Sequence, residues 1–311
     1  MKVVALAGGV GGARLCDGLQ QVLAPGDLTV VVNTGDDTER HGLLVCPDHD
    51  TVMYTLAGIA DPVQGWGIAG ESWAVMDRLA LYGEETWFRL GDRDIATHIA
   101  RTARLRAGSR LTEVSLGLQA SLGVASRILP MTDVPVRTQV LSDDGWLAFQ
   151  DYFVRLRQAP EVRAVSFDGV DAASSTPEVL AAFAEADAIV ICPSNPVVSV
   201  GPILAVPGMR DSIEAARTRG VRIAAISPIV AGRAIKGPAD RMLASLGHDV
   251  SAAGVARLYA GLADVFVLDA EDADLASAVE ALGMRTLVTD SIMTDGAARA
   301  RLARETLAAL G

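Results

Sequence analysis

Short apolar runs that do not alternate with polar residues recur along this chain, separated by longer Ala- and Leu-rich segments of helical spacing. The runs stand at 2–7, 28–33, 187–192, 222–227, 264–268 and 285–288. In Leu28-Thr29-Val30-Val31-Val32-Asn33 and Asp187-Ala188-Ile189-Val190-Ile191-Cys192 the apolar residues are consecutive. A strand with one solvated face alternates. A continuous run is expected of a parallel strand covered on both faces by helices. Helical spacing falls at 12–24, 177–185, 208–219, 239–247, 252–261, 273–282 and 294–309. This alternation predicts an open three-layer α/β/α sandwich around a mostly parallel sheet.

Two regions break the rhythm. Between 65 and 126 no strand is evident, and Glu71–Tyr82, Asp94–Arg106 and Leu111–Leu122 read as amphipathic helices. We therefore expect a small all-helical insert at 65–126 in an α/β core made of 1–64 and 127–311. Within 137–154, Thr138-Gln139-Val140-Leu141 and Trp146-Leu147-Ala148-Phe149 flank Ser142-Asp143-Asp144-Gly145, a hairpin signal.

Composition excludes several partners. With 311 residues, 27 basic against 38 acidic, the net charge is −11. The chain has no basic cluster of the kind that phosphate neutralisation on a nucleic acid requires. Its mean hydropathy of +0.31 comes from dispersed Ala, Val and Leu, and no stretch is long and apolar enough to cross a membrane. The apolar start, Val3–Ala7, is too short for a signal peptide and reads as a first buried strand. Cys16, Cys46 and Cys192 are widely spaced and odd in number, which argues against a disulfide scaffold or a structural zinc site. A cytoplasmic location is expected.

Six segments could carry chemistry. Gly8-Gly9-Val10-Gly11-Gly12-Ala13-Arg14 follows the first strand and opens a helix. Glycines there let a backbone approach a ligand closely, and a helix N-terminus favours phosphate. The dinucleotide fingerprint fits poorly, because Arg14 stands at the third glycine position and Asn33, not an acid, ends the second strand. A tight turn with no ligand and a site for a different anion are both open readings. Asn33-Thr34-Gly35-Asp36-Asp37 ends the second strand, where its carboxylates could hold a divalent ion or cap a turn. Pro47-Asp48-His49-Asp50-Thr51 precedes a helical run at 51–59 and reads equally as a magnesium–diphosphate motif or an N-cap. Arg89-Leu90-Gly91-Asp92-Arg93-Asp94 leads into an insert helix, as cap and surface charge or as ligand contacts. Pro193-Ser194-Asn195-Pro196 and Ser227-Pro228-Ile229 each follow a strand. On such constrained loops, polar side chains point to recognition. Five of the six segments fall on one edge of the expected sheet, which indicates a phosphorylated or nucleotide ligand beside an acidic metal site.

These residues resemble the 2-phospho-L-lactate transferase family of coenzyme F-420 biosynthesis. The likeness runs through Ala7–Arg14, Val31–Asp37, Cys46–Thr51, Leu90–His98, Ile128–Met131, Phe149–Asp151, Pro193–Ile203, Ser227–Ile229 and Leu287–Thr294. It implies a Rossmann-like core with a small helical domain, in agreement with the periodicity. It also implies a Mg²⁺-dependent transfer. A guanosine-diphosphate-activated phospho-acid donates its phospho-acid group to the ribityl hydroxyl of the deazaflavin Fo, releasing GMP. Under this resemblance, Asp50, Arg89 and Asp36 face Fo, while Gly8, Gly9, Gly11, Gly12, Arg14, Ser194, Asn195 and Ser227 face the nucleotide. Asp37 and Asp50 hold Mg²⁺, and one of them takes the hydroxyl proton. The phospho-acid stays open among 2-phospholactate, phosphoenolpyruvate and 3-phosphoglycerate, which differ by a few atoms. A homodimer is a common state of such folds. The competing reading is a non-enzymatic nucleotide-sugar-binding regulator of the same superfamily, which shares the glycine-rich start but lacks the Leu90–Asp94 pattern.

Overall fold

The computed structural model describes residues 1–311. Seven strands form the central sheet, in the spatial order Arg285–Thr289, Val265–Asp269, Arg222–Ile226, Ala188–Ile191, β1 (Val3–Ala7), β2 (Leu28–Val32) and Arg127–Pro130. Every pairing in it is parallel. The continuous apolar runs have the expected cause, since successive residues of the inner strands enter opposite cores, while the edge strand Arg285–Thr289 is only partly covered. Val4, Leu6, Ile189, Ile191, Ile223 and Phe266 belong to one buried cluster of 36 residues. Val3, Ala5, Ala7, Val30, Val190 and Val267 belong to a second, of 28 residues, on the other face. The molecule is thus the expected three-layer α/β/α sandwich.

Strand order reverses at β1. Its chain neighbour β2 lies on one side and Ala188–Ile191 on the other. This switch point lies at the carboxyl edge of the sheet, where ligands of doubly wound folds collect.

Two helix starts differ from expectation. Helix α1 covers Gly9–Val22, where 12–24 was expected, so the glycines form its first turn. Helix α2 covers Pro47–Leu56, where 51–59 was expected. Pro47 supplies the preset φ of a first helical residue, and Asp48 and Asp50 therefore lie in the opening turn. The 65–126 segment contains α3 (Ala74–Leu81), α4 (Asp92–Arg106) and α5 (Leu111–Ser121). Met76, Leu90 and Ile95 form a small core with Val45, whereas Val114 and Leu118 of α5 join the 28-residue cluster.

The expected hairpin is present as Arg137–Ser142 against Gly145–Ala148, and a third antiparallel strand, Ala164–Asp168, completes a small sheet. That strand and Arg127–Pro130 carry no long apolar run. The first lies in a small, half-buried sheet and the second is an edge strand of four residues.

Candidate active site

The turn after β1 is locked to the loop after Ala188–Ile191. Ser194 Oγ accepts from the Gly8 amide at 3.0 Å and donates to the Gly8 carbonyl at 2.8 Å. A Cβ on Gly11 would lie 2.4 Å from the Pro193 carbonyl oxygen, one on Gly12 2.5 Å from Ser194 Oγ, and one on Gly8 2.4 Å from Asp48 Oδ2. The protein's own packing therefore already requires these glycines. The N-terminus of α1 also has an internal anion. Asp48 accepts from the Gly9 amide at 2.7 Å and from Asn33 Nδ2 at 2.9 Å.

Other side chains expected to face a ligand are engaged locally. Asn195 Oδ1 accepts from the amides of Val197 and Val198. Ser227 Oγ accepts from the Ile229 amide and donates to its carbonyl. What remains open is a small cleft, continuous with solvent, whose lining includes Gly11, Arg14, Pro193, Ser227, Lys236 and Ser291.

Four aspartates, Asp36, Asp37, Asp48 and Asp50, are each less than a tenth exposed, and Asp48 is bonded to the Gly9 amide of the turn after β1. Burial pushes Asp36 well above the usual carboxylate range, helped by the nearby Asp48. Burial raises Asp37 to about 7 despite Arg137 and the Cys46 thiol. It raises Asp48 to about 6 despite the bonds from Asn33 and Gly9. Asp50 differs. Burial would raise it too, but the Arg101 guanidinium, with His49 and His98, holds it below the usual range. Arg101 donates to both Asp50 oxygens and its Nη1 lies 3.2 Å from His98 Nδ1. Tyr54 donates to Asp94 at 2.7 Å, and His98 Nε2 stands 3.3 Å from the same oxygen. Helices α2 and α4 thus meet through a buried polar face.

The carboxylates fit a hard divalent cation. Asp36 Oδ1 and Asp37 Oδ1 are buried with no hydrogen-bond partner, and an unpaired carboxylate out of water requires a proton or a metal. Oxygen donors suit magnesium. A second group, Asp50, Asp94 and His98, places its ligand atoms within 4.8 Å of one another and could hold a metal ion. Arg101 already supplies positive charge there, and imidazole suits transition metals better than magnesium.

Aromatic rings and arginines line the surface near these residues. Arg89 lies over the Trp73 ring at 4.1 Å, and Arg40 over Trp87 at 4.2 Å and Phe88 at 5.6 Å. The sequence reading missed Arg101, Tyr54 and Lys236 as site residues. A signal for the first exists, since Asp94, His98 and Arg101 follow i, i+4, i+7 on α4 and so form one polar stripe. Lys236 has no comparable signature.

Residues 3–302 match the family model described as 2-phospho-L-lactate transferase CofD. The chain is 47% identical to the phosphoenolpyruvate transferase of Streptomyces griseus, over 99% of this chain and 98% of that one. It is 40% identical to the phosphoenolpyruvate transferase of Mycobacterium avium, over 97% and 96%. It is 39% identical to the 2-phospho-L-lactate transferase of Methanosarcina mazei, over 94% and 95%. A crystal structure of a UPF0052 family member from Bacillus halodurans shares the fold, with a TM-score of 0.62 at 16% identity over 98% of both chains. The carboxylate cluster at the switch point therefore sits in an enzyme chain that belongs to the 2-phospho-L-lactate transferase CofD family.

Proposed function

We propose that the protein moves a phosphoenolpyruvyl group from a guanosine-diphosphate-activated donor to the ribityl hydroxyl of the deazaflavin Fo, releasing GMP, in coenzyme F-420 biosynthesis. The observation that carries the reading is the pair of unpartnered, buried carboxylate oxygens of Asp36 and Asp37 on the loop that leaves β2. Several relatives named for phosphoenolpyruvate are more similar to this chain than the Methanosarcina protein named for 2-phospholactate, which favours the enolpyruvyl donor. The buried, unpaired cysteines suit a cytoplasmic enzyme.

Alcohol attack on a diphosphate needs in-line positioning and charge neutralisation more than a strong base. Asp37 and Asp50 would hold Mg²⁺. Each Asp50 oxygen keeps a second lone pair beyond its bond from Arg101. Bound there, the ion would neutralise charge on the phosphate oxygens. The hydroxyl oxygen of Fo forms a bond to the distal phosphorus while the bond from that phosphorus to the bridging oxygen breaks. The bridging oxygen leaves with GMP. Asp37 takes the hydroxyl proton. Arg89 and the Trp73 ring flank the acceptor, and Arg14 lies on the nucleotide side.

The test is a competition among the three activated donors with Fo and Mg²⁺, read by mass spectrometry. The expected outcome is GMP together with the enolpyruvyl phosphodiester of Fo as the main product. A dominant phospholactyl or phosphoglyceryl product would overturn the donor assignment. Tight UDP-sugar binding with no turnover of any donor would overturn the enzyme reading in favour of the regulator.

A further inference from the structure

Two cations face the switch-point cleft with no carboxylate beside either. The chain carries 38 acidic residues against 27 basic ones, yet the charged neighbours that act on Arg14 and Lys236 are both arginines, Arg299 and Arg14. Arg14 Nη1 has one long bond, 3.4 Å to the Met293 carbonyl. Lys236 Nζ donates to the carbonyl of Gln64 at 2.7 Å. Both line the same cleft with Gly11, Pro193 and Ser227. Two like charges facing one cavity repel each other unless an anion lies between them.

Three segments converge on the lysine. It follows the short hairpin Ile229–Val230 with Arg233–Ala234, and its ammonium covers Gly65, the neighbour of Gln64. Gly65 has φ +80°, and a Cβ there would lie 3.3 Å from Lys236 Nζ and 2.8 Å from Val10 Cγ1. The segment after the hairpin, the turn that begins the helical segment and the first turn of α1 thus share one wall. The α1 N-terminus itself already holds the Asp48 carboxylate. A phosphate chain in this cleft must therefore rely on side-chain cations more than on the amides of that helix.

We propose that Lys236, together with Arg14, grips the phosphate chain of the nucleotide in the switch-point cleft, exchanging its Gln64 carbonyl for a phosphate oxygen. A lysine suits the exchange because its ammonium is a compact charge on a flexible stem. The proposal rests on the donor reading above in taking the anion to be a nucleoside diphosphate, and its test separates the two.

Titration calorimetry on the full-length protein, with Mg²⁺ present, would measure GDP, ADP, inorganic pyrophosphate and guanosine against wild type, Lys236→Met and Lys236→Arg. Lys236 is exposed, and matched thermal melts would verify that the variants fold. The expected result is a loss of tenfold or more in GDP affinity for Lys236→Met, an intermediate loss for Lys236→Arg, and guanosine binding within twofold. In turnover the loss would lie in KM for the donor, with KM for Fo unchanged. GDP and pyrophosphate affinities within twofold of wild type in Lys236→Met would overturn the grip and leave the guanosine reading standing. Equal, Lys236-dependent binding of GDP, ADP and pyrophosphate would support the grip and overturn the guanosine reading. No binding of any diphosphate to wild type would overturn both.

Discussion

Arg101 is fully buried, and its guanidinium meets the Asp50 carboxylate through both oxygens. Removing one member of such a pair strands the other charge out of water, which costs about 3–5 kcal/mol. Arg101→Met and Asp50→Asn are each expected to lower stability by about that amount in urea unfolding, with or without Mg²⁺. Asp37→Asn is expected to behave differently. Asp37 has a buried oxygen with no partner, so the substitution should leave the fold at least as stable without metal while weakening Mg²⁺ binding by tenfold or more, read by calorimetry. Stability without metal thus separates the two aspartates. The sequence made the acids at 36, 37, 48 and 50 visible as candidates, with turn and helix caps as equally open readings of the same positions. Which of them is already neutralised depends on Arg101, far along the chain on α4. That helix reads from sequence as an ordinary amphipathic one, and its polar stripe reads as solvated until α2 is seen packed against it.

At the scale of elements, the contact between the first turn of α1 and the Pro193 loop sets the site's geometry. Gly11 and Gly12 have no room for a methyl group. A Cβ on Gly11 would meet a backbone carbonyl at 2.4 Å, and one on Gly12 would meet Ser194 Oγ at 2.5 Å. Gly11→Ala is expected to cost about 1–3 kcal/mol through overpacking and to lower turnover, since relief requires the two loops to part. An equilibrium unfolding curve and a steady-state assay on the same preparation check it. The strand–helix rhythm was legible because every central strand buries both faces. The start of α1 was not, because glycine is a poor helix former and only tertiary packing makes residues 9–12 helical. The strand Ala164–Asp168 escaped for a related reason, since its residues are only half buried and its pairing with Arg137–Ser142 is not local.

For the molecule as a whole, the buried carboxylates tie stability to pH. Asp37 and Asp48 are raised to about 7 and about 6, and Asp36 is raised as well. Between about pH 4 and 7 the folded chain then binds more protons than the unfolded chain, so stability falls as pH rises. Asp50 has the opposite sign. Its stabilisation is present above the unfolded carboxylate range and is lost only in stronger acid. The metal-free protein is expected to melt at a lower temperature at pH 7.5 than at pH 5.5. Mg²⁺ should raise the midpoint at pH 7.5 and change it little at pH 5.5, because binding must displace protons. A calorimetric scan at the two pH values, with and without the ion, checks both signs. The strand order has its own consequence for biosynthesis. On the ribosome, Val3 emerges long before its partner Ala188. Until then β1 keeps one open edge, the kind of surface that pairs with strangers. The half-sites at Gly8–Gly12 and Pro193–Asn195 remain apart for the same interval, so a nascent chain can neither bind substrate nor be rescued by it until translation has passed Asn195.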